Sequence, residues 1–232
     1  MKDTIRDKLI VALDLPSAVQ ARALVDRLGD EVSFYKVGLE LLFSGGLDLA
    51  QDLKRSGKRV FLDMKLLDIG NTVERAVATA AQLGVDFLTV HGHDRKTLDA
   101  AVKGRGTAPL KLLAVTVLTS LDANDLAEQG STMEPAELVL RRARLARAAG
   151  FDGVIASGQE AAAVRSATAP DFLIVTPGIR LPGGAAGDQA RITTPRKALA
   201  DGANHLVVGR PINAAADPLA AARSFLSDIA QG

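Results

Sequence analysis

Eight short apolar runs recur along the chain, and a segment of helical character follows each of them. The runs are Leu9–Leu13, Phe34–Val37, Val60–Leu62, Phe87–Val90, Leu112–Leu118, Gly153–Ile155, Leu173–Val175 and His205–Val208. They are nearly continuous in apolar character instead of alternating, the pattern of parallel strands covered by helices. In the intervening segments Ala21, Leu24, Val25 and Leu28 recur at i, i+3, i+4 and i+7, as do Val73, Ala76, Val77 and Ala80. Gly29, Gly84, Gly150 and Gly202 stand where helices should stop. Thr194-Pro195 reads as an N-cap followed by proline at the first helical position. Eight strand–helix pairs predict a (β/α)8 barrel, the TIM-barrel architecture, with residues 1–232 forming one domain. An open doubly wound sheet would need a glycine fingerprint after the first strand, and Leu13-Asp14-Leu15-Pro16-Ser17 has none. Gly104-Arg105-Gly106, the one G-x-G, follows a helix instead.

Composition narrows the function. With 47% hydrophobic residues in 232, the chain can bury a sizeable core. A formal net charge of +1 offers no broad basic field for nucleic acid or an acidic membrane. Seven Phe, one Tyr and no Trp argue against base-stacking or carbohydrate-stacking surfaces. The absence of cysteine excludes disulfides, thiol catalysis and cysteine-bound zinc or iron–sulfur centres. The charged start reads as no signal peptide, and no apolar run is long enough to span a bilayer, so a cytoplasmic protein is expected.

A barrel of this kind carries its chemistry on the loops after the strands. The strand exits supply Asp14, Lys36, Asp63 with Lys65, His91, Thr119, Ser157, Arg180 and Arg210. Two carboxylates, two lysines and two arginines around one mouth point to an anionic ligand. In Val208-Gly209-Arg210-Pro211-Ile212, glycine lets backbone N–H groups approach a phosphate and arginine can bind it bidentately. A helix is expected to begin near Asn213. Thr176-Pro177-Gly178-Ile179-Arg180 follows strand seven, and a Gly- and Ala-rich stretch runs on to Gln189, polar enough to close over a ligand.

The densest constellation is Phe61-Leu62-Asp63-Met64-Lys65-Leu66-Leu67-Asp68-Ile69-Gly70-Asn71-Thr72. Strand alternation points Asp63 and Lys65 the same way, while Asp68 lies in the loop beyond. Two carboxylates around one ammonium would keep it charged and placed for electrostatic or proton-donating work; a strand-end salt bridge is the plain alternative. Other features weigh less. His91 and His93 lack an acidic partner at metal-ligand spacing. Arg141, Arg142, Arg144 and Arg147 read as the solvated face of a helix whose apolar side is Leu138, Leu145 and Ala149. No G-x-S-x-G or serine–histidine–acid triad is evident.

Several segments then match one family in order: Val11-Ala12-Leu13-Asp14, Tyr35-Lys36-Val37-Gly38, the Phe61–Ile69 run, Asn71-Thr72, Val115-Thr116-Val117-Leu118-Thr119-Ser120, Thr176–Arg180 and Val208–Ile212. Over nearly its whole length the chain resembles the orotidine 5′-monophosphate decarboxylases of bacterial type, which complete de novo UMP synthesis. D-x-K-x-x-D-I-x-N-T together with P-G-I-R is highly specific. Gly70 is a departure, since bacterial members usually carry proline there.

The resemblance implies decarboxylation of orotidine 5′-monophosphate without metal or cofactor. It makes Lys65 the general acid at C6 of the pyrimidine, with Asp63 beside it and close to the substrate carboxylate. Asp68, Ile69 and Thr72 would come from the other subunit of a homodimer. Asp14 and Lys36 would hold the ribose hydroxyls, Thr119 the base, and Gln189 both base and phosphate. Arg180, Gly209 and Arg210 would surround the phosphate. A sister family of phosphosugar decarboxylases and hexulose-phosphate synthases shares Asp-x-Lys-x-x-Asp, but uses magnesium held partly by a glutamate after strand two, where this chain has Lys36. A non-catalytic phosphate-binding scaffold would not need Lys65 between carboxylates.

Overall fold

A computed structural model describes residues 5–183 and 192–231. Eight parallel strands close on themselves: β1 (Leu9–Ala12), β2 (Phe34–Gly38), β3 (Arg59–Leu66), β4 (Phe87–His91), β5 (Lys111–Val115), β6 (Gly153–Ile155), β7 (Leu173–Thr176) and β8 (His205–Val208). Closure is made by β1 against β8, where Leu9, Ile10 and Val11 face Leu206, Val207 and Val208. The principal covering helices are Ala18–Leu28, Leu47–Arg55, Gly70–Gln82, Arg95–Arg105, Pro135–Ala149, Ala161–Ala167, Pro195–Ala200 and Pro218–Ala230. The barrel expected from the sequence is therefore the fold observed.

Period-two alternation splits each strand between two cores. Ile10, Ala12, Phe34, Phe61, Phe87, Leu113, Val175 and Val207 point inward and fill the barrel. Phe87 meets Phe34 and Phe61 edge-on, with ring centroids 5.0 and 6.0 Å apart. Leu9, Val11, Leu13, Tyr35, Val37, Val60 and Leu62 point outward under the helices. Burial on both sides explains why the strands read as unbroken apolar runs.

The helix ends follow the expected chemistry. Gly29 and Gly150 are C-caps at positive φ, Gly84 and Gly202 adopt positive φ just beyond the caps, and the Thr194 hydroxyl accepts from the Lys197 N–H ahead of Pro195. Three boundaries differ from the sequence reading by more than one residue. β5 stops at Val115, not Leu118: beyond it the Thr116 hydroxyl and N–H both donate to the Ile155 carbonyl, at 2.7 and 3.4 Å, and Arg142 donates to the Thr116 carbonyl. That contact also makes Arg142 an exception to the solvated arginine face. After β8 the chain turns at once into Arg210–Asn213, with Gly209 as its N-cap, so helix begins at Arg210 and not near Asn213. β3 runs on to Leu66 because its register against β4 shifts: Leu62 faces Leu88, and the next pairing is Leu66 with Val90. Three residues of β3 thus oppose Thr89 alone, a bulge of the kind that re-aims side chains.

Candidate active site

One step up the barrel from the aromatic layer, the same inward face becomes charged. Lys36 follows Phe34 by two residues and Asp63 follows Phe61 by two, so alternation turns both side chains toward the mouth. Lys36 Nζ lies 2.9 Å from Asp14 Oδ1 and 3.3 Å from Asp63 Oδ2; Lys65 Nζ lies 2.8 Å from that same Asp63 oxygen. The four charges form an alternating chain, Asp14–Lys36–Asp63–Lys65. Lys36 and Asp63 are buried, Lys65 is partly covered, and Asp14 reaches solvent.

Burial works against the Lys36 ammonium, but Asp63 and Asp14 outweigh it and hold its pKa above the ordinary lysine value. Burial likewise opposes the Asp63 charge. Lys36, Lys65 and the Thr89 hydroxyl outweigh it and keep the carboxyl below its usual range. Both groups are therefore charged at neutral pH. Such buried pairs are poor stabilisers against an apolar equivalent, and their concentration at a cavity marks function.

The chain of charges forms one wall of a cavity of about 590 Å³ at the C-terminal mouth of the barrel. Thr119 and Val117 line it from the segment after β5, and Gly178, Arg180, Gly209 and Arg210 from the loops after β7 and β8. Gly178 has φ +76, a conformation that disfavours any side chain. It lets the backbone fold back so that Arg180 N–H donates to Thr193 O at 2.9 Å and Thr193 N–H to Gly178 O at 3.2 Å. That bridge ties together the two ends of the segment after Arg180. The Arg180 guanidinium is buried, and burial together with neighbouring Arg210 disfavours its charge. A bound anion would relieve both penalties.

Asp14, Lys36, Asp63, Lys65, Thr119, Arg180, Gly209 and Arg210 are thus gathered around one cavity. Asp68, Ile69 and Thr72 are exposed and line no part of it in their own chain. The Asp68 carboxylate accepts from the Ile69 N–H at 2.6 Å. Within a single chain, then, Lys65 does not sit between two carboxylates. The ammonium so flanked is Lys36, because the bulge and the loop beyond β3 carry Asp68 away from the strand face. Gln189 lies outside the described residues. Ser157 turns away from the cavity, its hydroxyl accepting from the Gln159 N–H at 3.2 Å. The His91 and His93 rings meet at a 57° tilt with centroids 4.8 Å apart, and burial, His93 and Arg142 push the His91 pKa down to about 4. Among the described residues no three His, Asp or Glu side chains cluster as a metal site.

Asn213 and Gly38 are among the cavity residues that were missed in the sequence. Asn213 donates to the Ala12 carbonyl at 2.7 Å, bracing β1 against the last loop. At Gly38 an added Cβ would lie 2.8 Å from Asp14 Oδ1 and 2.9 Å from Lys36 Nζ, so glycine is what admits that ion pair. A glycine two residues after an inward lysine was the signal available for the second; nothing local marked the first.

Fold and site define a (β/α)8 barrel whose mouth carries a partly buried row of alternating charges facing two arginines across one cavity. The sequence model of the Orotidine 5'-phosphate decarboxylase / HUMPS family matches residues 7–225, and the chain belongs to that family. It is 54% identical over 226 residues to an orotidine 5'-phosphate decarboxylase of Rhodopseudomonas palustris (strain BisB5), covering 97% of this chain and 96% of that protein. It is 55% identical over 231 residues to the enzyme of that name from Methylobacterium sp. (strain 4-46), covering 98% of each. Among solved structures, orotidine 5'-phosphate decarboxylase from Lactobacillus acidophilus superposes with a TM-score of 0.84 at 39% identity, covering 95% of this chain and 98% of that one.

Proposed function

We infer that this chain converts orotidine 5′-monophosphate to UMP and carbon dioxide, the reaction of pyrimidine biosynthesis that gives its relatives their name. The observation that carries the residue assignment is the Asp14–Lys36–Asp63–Lys65 row, with two arginines on the same cavity. Breaking the bond from C6 to the carboxylate leaves its electron pair in an sp² orbital in the ring plane, where no adjacent π system delocalises it. The Lys65 ammonium, held by Asp63, stabilises that charge and passes its proton to C6, and the resulting amine regains a proton from solvent. Asp63 lies beside the departing carboxylate. Asp14 and Lys36 hold the ribose hydroxyls, Thr119 contacts the base, and Gln189 links base and phosphate. Arg180, Gly209 and Arg210 take the phosphate, whose remote binding energy aligns the base.

In this reading residues 1–232 are one catalytic domain acting in the cytoplasm without metal or cofactor, and without nucleic-acid or membrane partners. No helix among the described residues is long and apolar enough to cross a membrane. The working unit is a homodimer in which Asp68, Ile69 and Thr72 complete the partner's site. Supporting this, Ile69 is 73% and Leu67 52% exposed on either side of Asp68, two apolar side chains that a partner subunit could cover. The test is the ultraviolet spectrum of orotidine 5′-monophosphate followed over time with protein exhaustively treated with chelator. Full conversion is expected. An unchanged spectrum overturns the reading, and turnover only with added magnesium favours the sister chemistry.

A further inference from the structure

Lys65 is the only non-glycine among the described residues with positive φ, at +48. A side chain in that region is disfavoured, so the surroundings must hold it there. The bulge in β3 removes the regular ladder from Asp63 to Lys65, and the residue facing the gap is Thr89 on β4. Thr89 is fully buried. Its hydroxyl accepts from the Lys65 backbone N–H at 3.0 Å and donates to Asp63 Oδ1 at 2.9 Å. One hydroxyl thereby uses its lone pair on one member of the reacting pair and its proton on the other. The other oxygen of Asp63 is left for Lys36 and Lys65. Because a β-branched side chain is stiff at χ1, the hydroxyl is held rigidly.

We propose that Thr89 is a positioning residue for the decarboxylation, its hydroxyl fixing both the left-handed backbone of Lys65 and the rotation of the Asp63 carboxylate. This rests on the activity inferred above and adds to it a residue that touches neither substrate nor cavity. Valine at this position keeps the shape and loses both hydrogen bonds. The Lys65 N–H and Asp63 Oδ1 then lose a buried partner, and the ammonium is free to drift from C6. The phosphate contacts on the loops after β7 and β8 are untouched, so binding should survive while chemistry suffers.

The test compares wild type, Thr89→Val and Thr89→Ser by steady-state kinetics and by binding of UMP. Thr89→Val should lower kcat by roughly ten- to a hundredfold, the scale of a slight misplacement at a reacting centre, with KM and UMP affinity nearly unchanged. Thr89→Ser, which keeps donor and acceptor, should stay within a few-fold of wild type. The acidic limb of the kcat/KM profile should also move to higher pH in Thr89→Val, since Asp63 loses a hydrogen bond that favours its charged form. Should Thr89→Val fail to fold, Thr89→Cys, with a much weaker donor, takes its place with the same expected split. A wild-type kcat in the valine or cysteine variant, or equal losses in the serine variant, overturns the proposal. An inactive wild type would instead overturn the activity on which it rests.

Discussion

Lys36 Nζ lies 3.3 Å from Asp63 Oδ2, the oxygen that Lys65 Nζ approaches at 2.8 Å, so a single carboxylate separates two ammonium groups. Those distances leave the two nitrogens at most roughly 6 Å apart, where like charges repel by about 3 kcal/mol at an effective dielectric of 20. Asp63→Asn removes the neutralising charge while keeping the shape. It should therefore destabilise the fold by about 2–3 kcal/mol, read as a lower urea midpoint, besides losing activity. Adding Lys36→Met should return much of the stability and none of the activity. An unchanged midpoint in Asp63→Asn would mean that the row of charges is not under this tension.

The next prediction concerns space instead of charge. Gly38→Ala places a methyl group 2.8 Å from Asp14 Oδ1 and 2.9 Å from Lys36 Nζ, inside van der Waals contact with both. The ion pair must separate, and with it the ribose-binding corner. KM for orotidine 5′-monophosphate should rise about tenfold or more with kcat less affected, the signature of lost ground-state binding. A KM within twofold of wild type would show that Asp14 and Lys36 can shift at no cost.

Much of this arrangement is legible in the sequence. Continuous apolar runs gave parallel strands, and alternation along β3 turned Asp63 and Lys65 the same way. Alternation alone was an incomplete reason for pairing Asp63 with Lys65, however. The strand bulges between them, and the pair survives because Lys65 adopts a left-handed backbone that its neighbour Thr89 supports. That support comes from another strand, 24 residues away, and no local pattern reveals it. The same holds for Asn213 bracing Ala12 across the closing seam of the barrel. Caps and glycine stops were legible because their chemistry lies within one turn of chain. The early end of β5 was not, since the groups that meet Thr116 beyond it come from a later strand and a later helix.

His91 contributes to the loss of stability toward acid, alongside His93, whose pKa burial and Arg142 also lower. Burial, His93, Arg142 and Lys65 hold the folded pKa of His91 at about 4, against an ordinary 6.5, with Asp63 opposing. Between those values the unfolded chain binds a proton that the folded chain refuses, so stability falls as pH drops from about 6.5 to 4. The gap bounds the loss at roughly 3 kcal/mol, and solvent around this half-buried ring reduces it. His91→Gln should flatten that stretch of a urea-midpoint-against-pH plot. Identical slopes in wild type and variant would exclude His91 as a cause.

At Gly70, where the resemblance drawn from the sequence leads to an expectation of proline, the backbone would accommodate that residue. Gly70 opens the helix Gly70–Gln82, and Ile69 before it has φ −57 and ψ 143, the extended geometry that a following proline prefers. A Cβ there would make ordinary contact with Ala100, at 3.5 Å. Gly70→Pro should therefore stabilise the protein by about 0.4–1 kcal/mol through the unfolded state, raising the melting temperature with activity intact. A lower melting temperature would mean that the loop after β3 needs glycine's freedom.

The proposal that two chains share each active site has the most direct test. Asp68 and Lys65 are only three residues apart, yet Lys65 lines the cavity and Asp68 does not. A two-fold dimer across the barrel mouths lets each chain present its Asp68 loop to its neighbour's cavity. Lys65→Ala and Asp68→Ala should each be inactive alone. In a heterodimer of the two, one site receives both substitutions and the other receives neither. Random exchange of equal amounts makes about half of the dimers mixed, each with one intact site, so about a quarter of wild-type activity should return. Subunit exchange is verified separately, by mass or by energy transfer between labelled chains. If the chains exchange and no activity returns, Asp68 serves the cavity of its own chain, and the loop after β3 must fold inward when substrate binds.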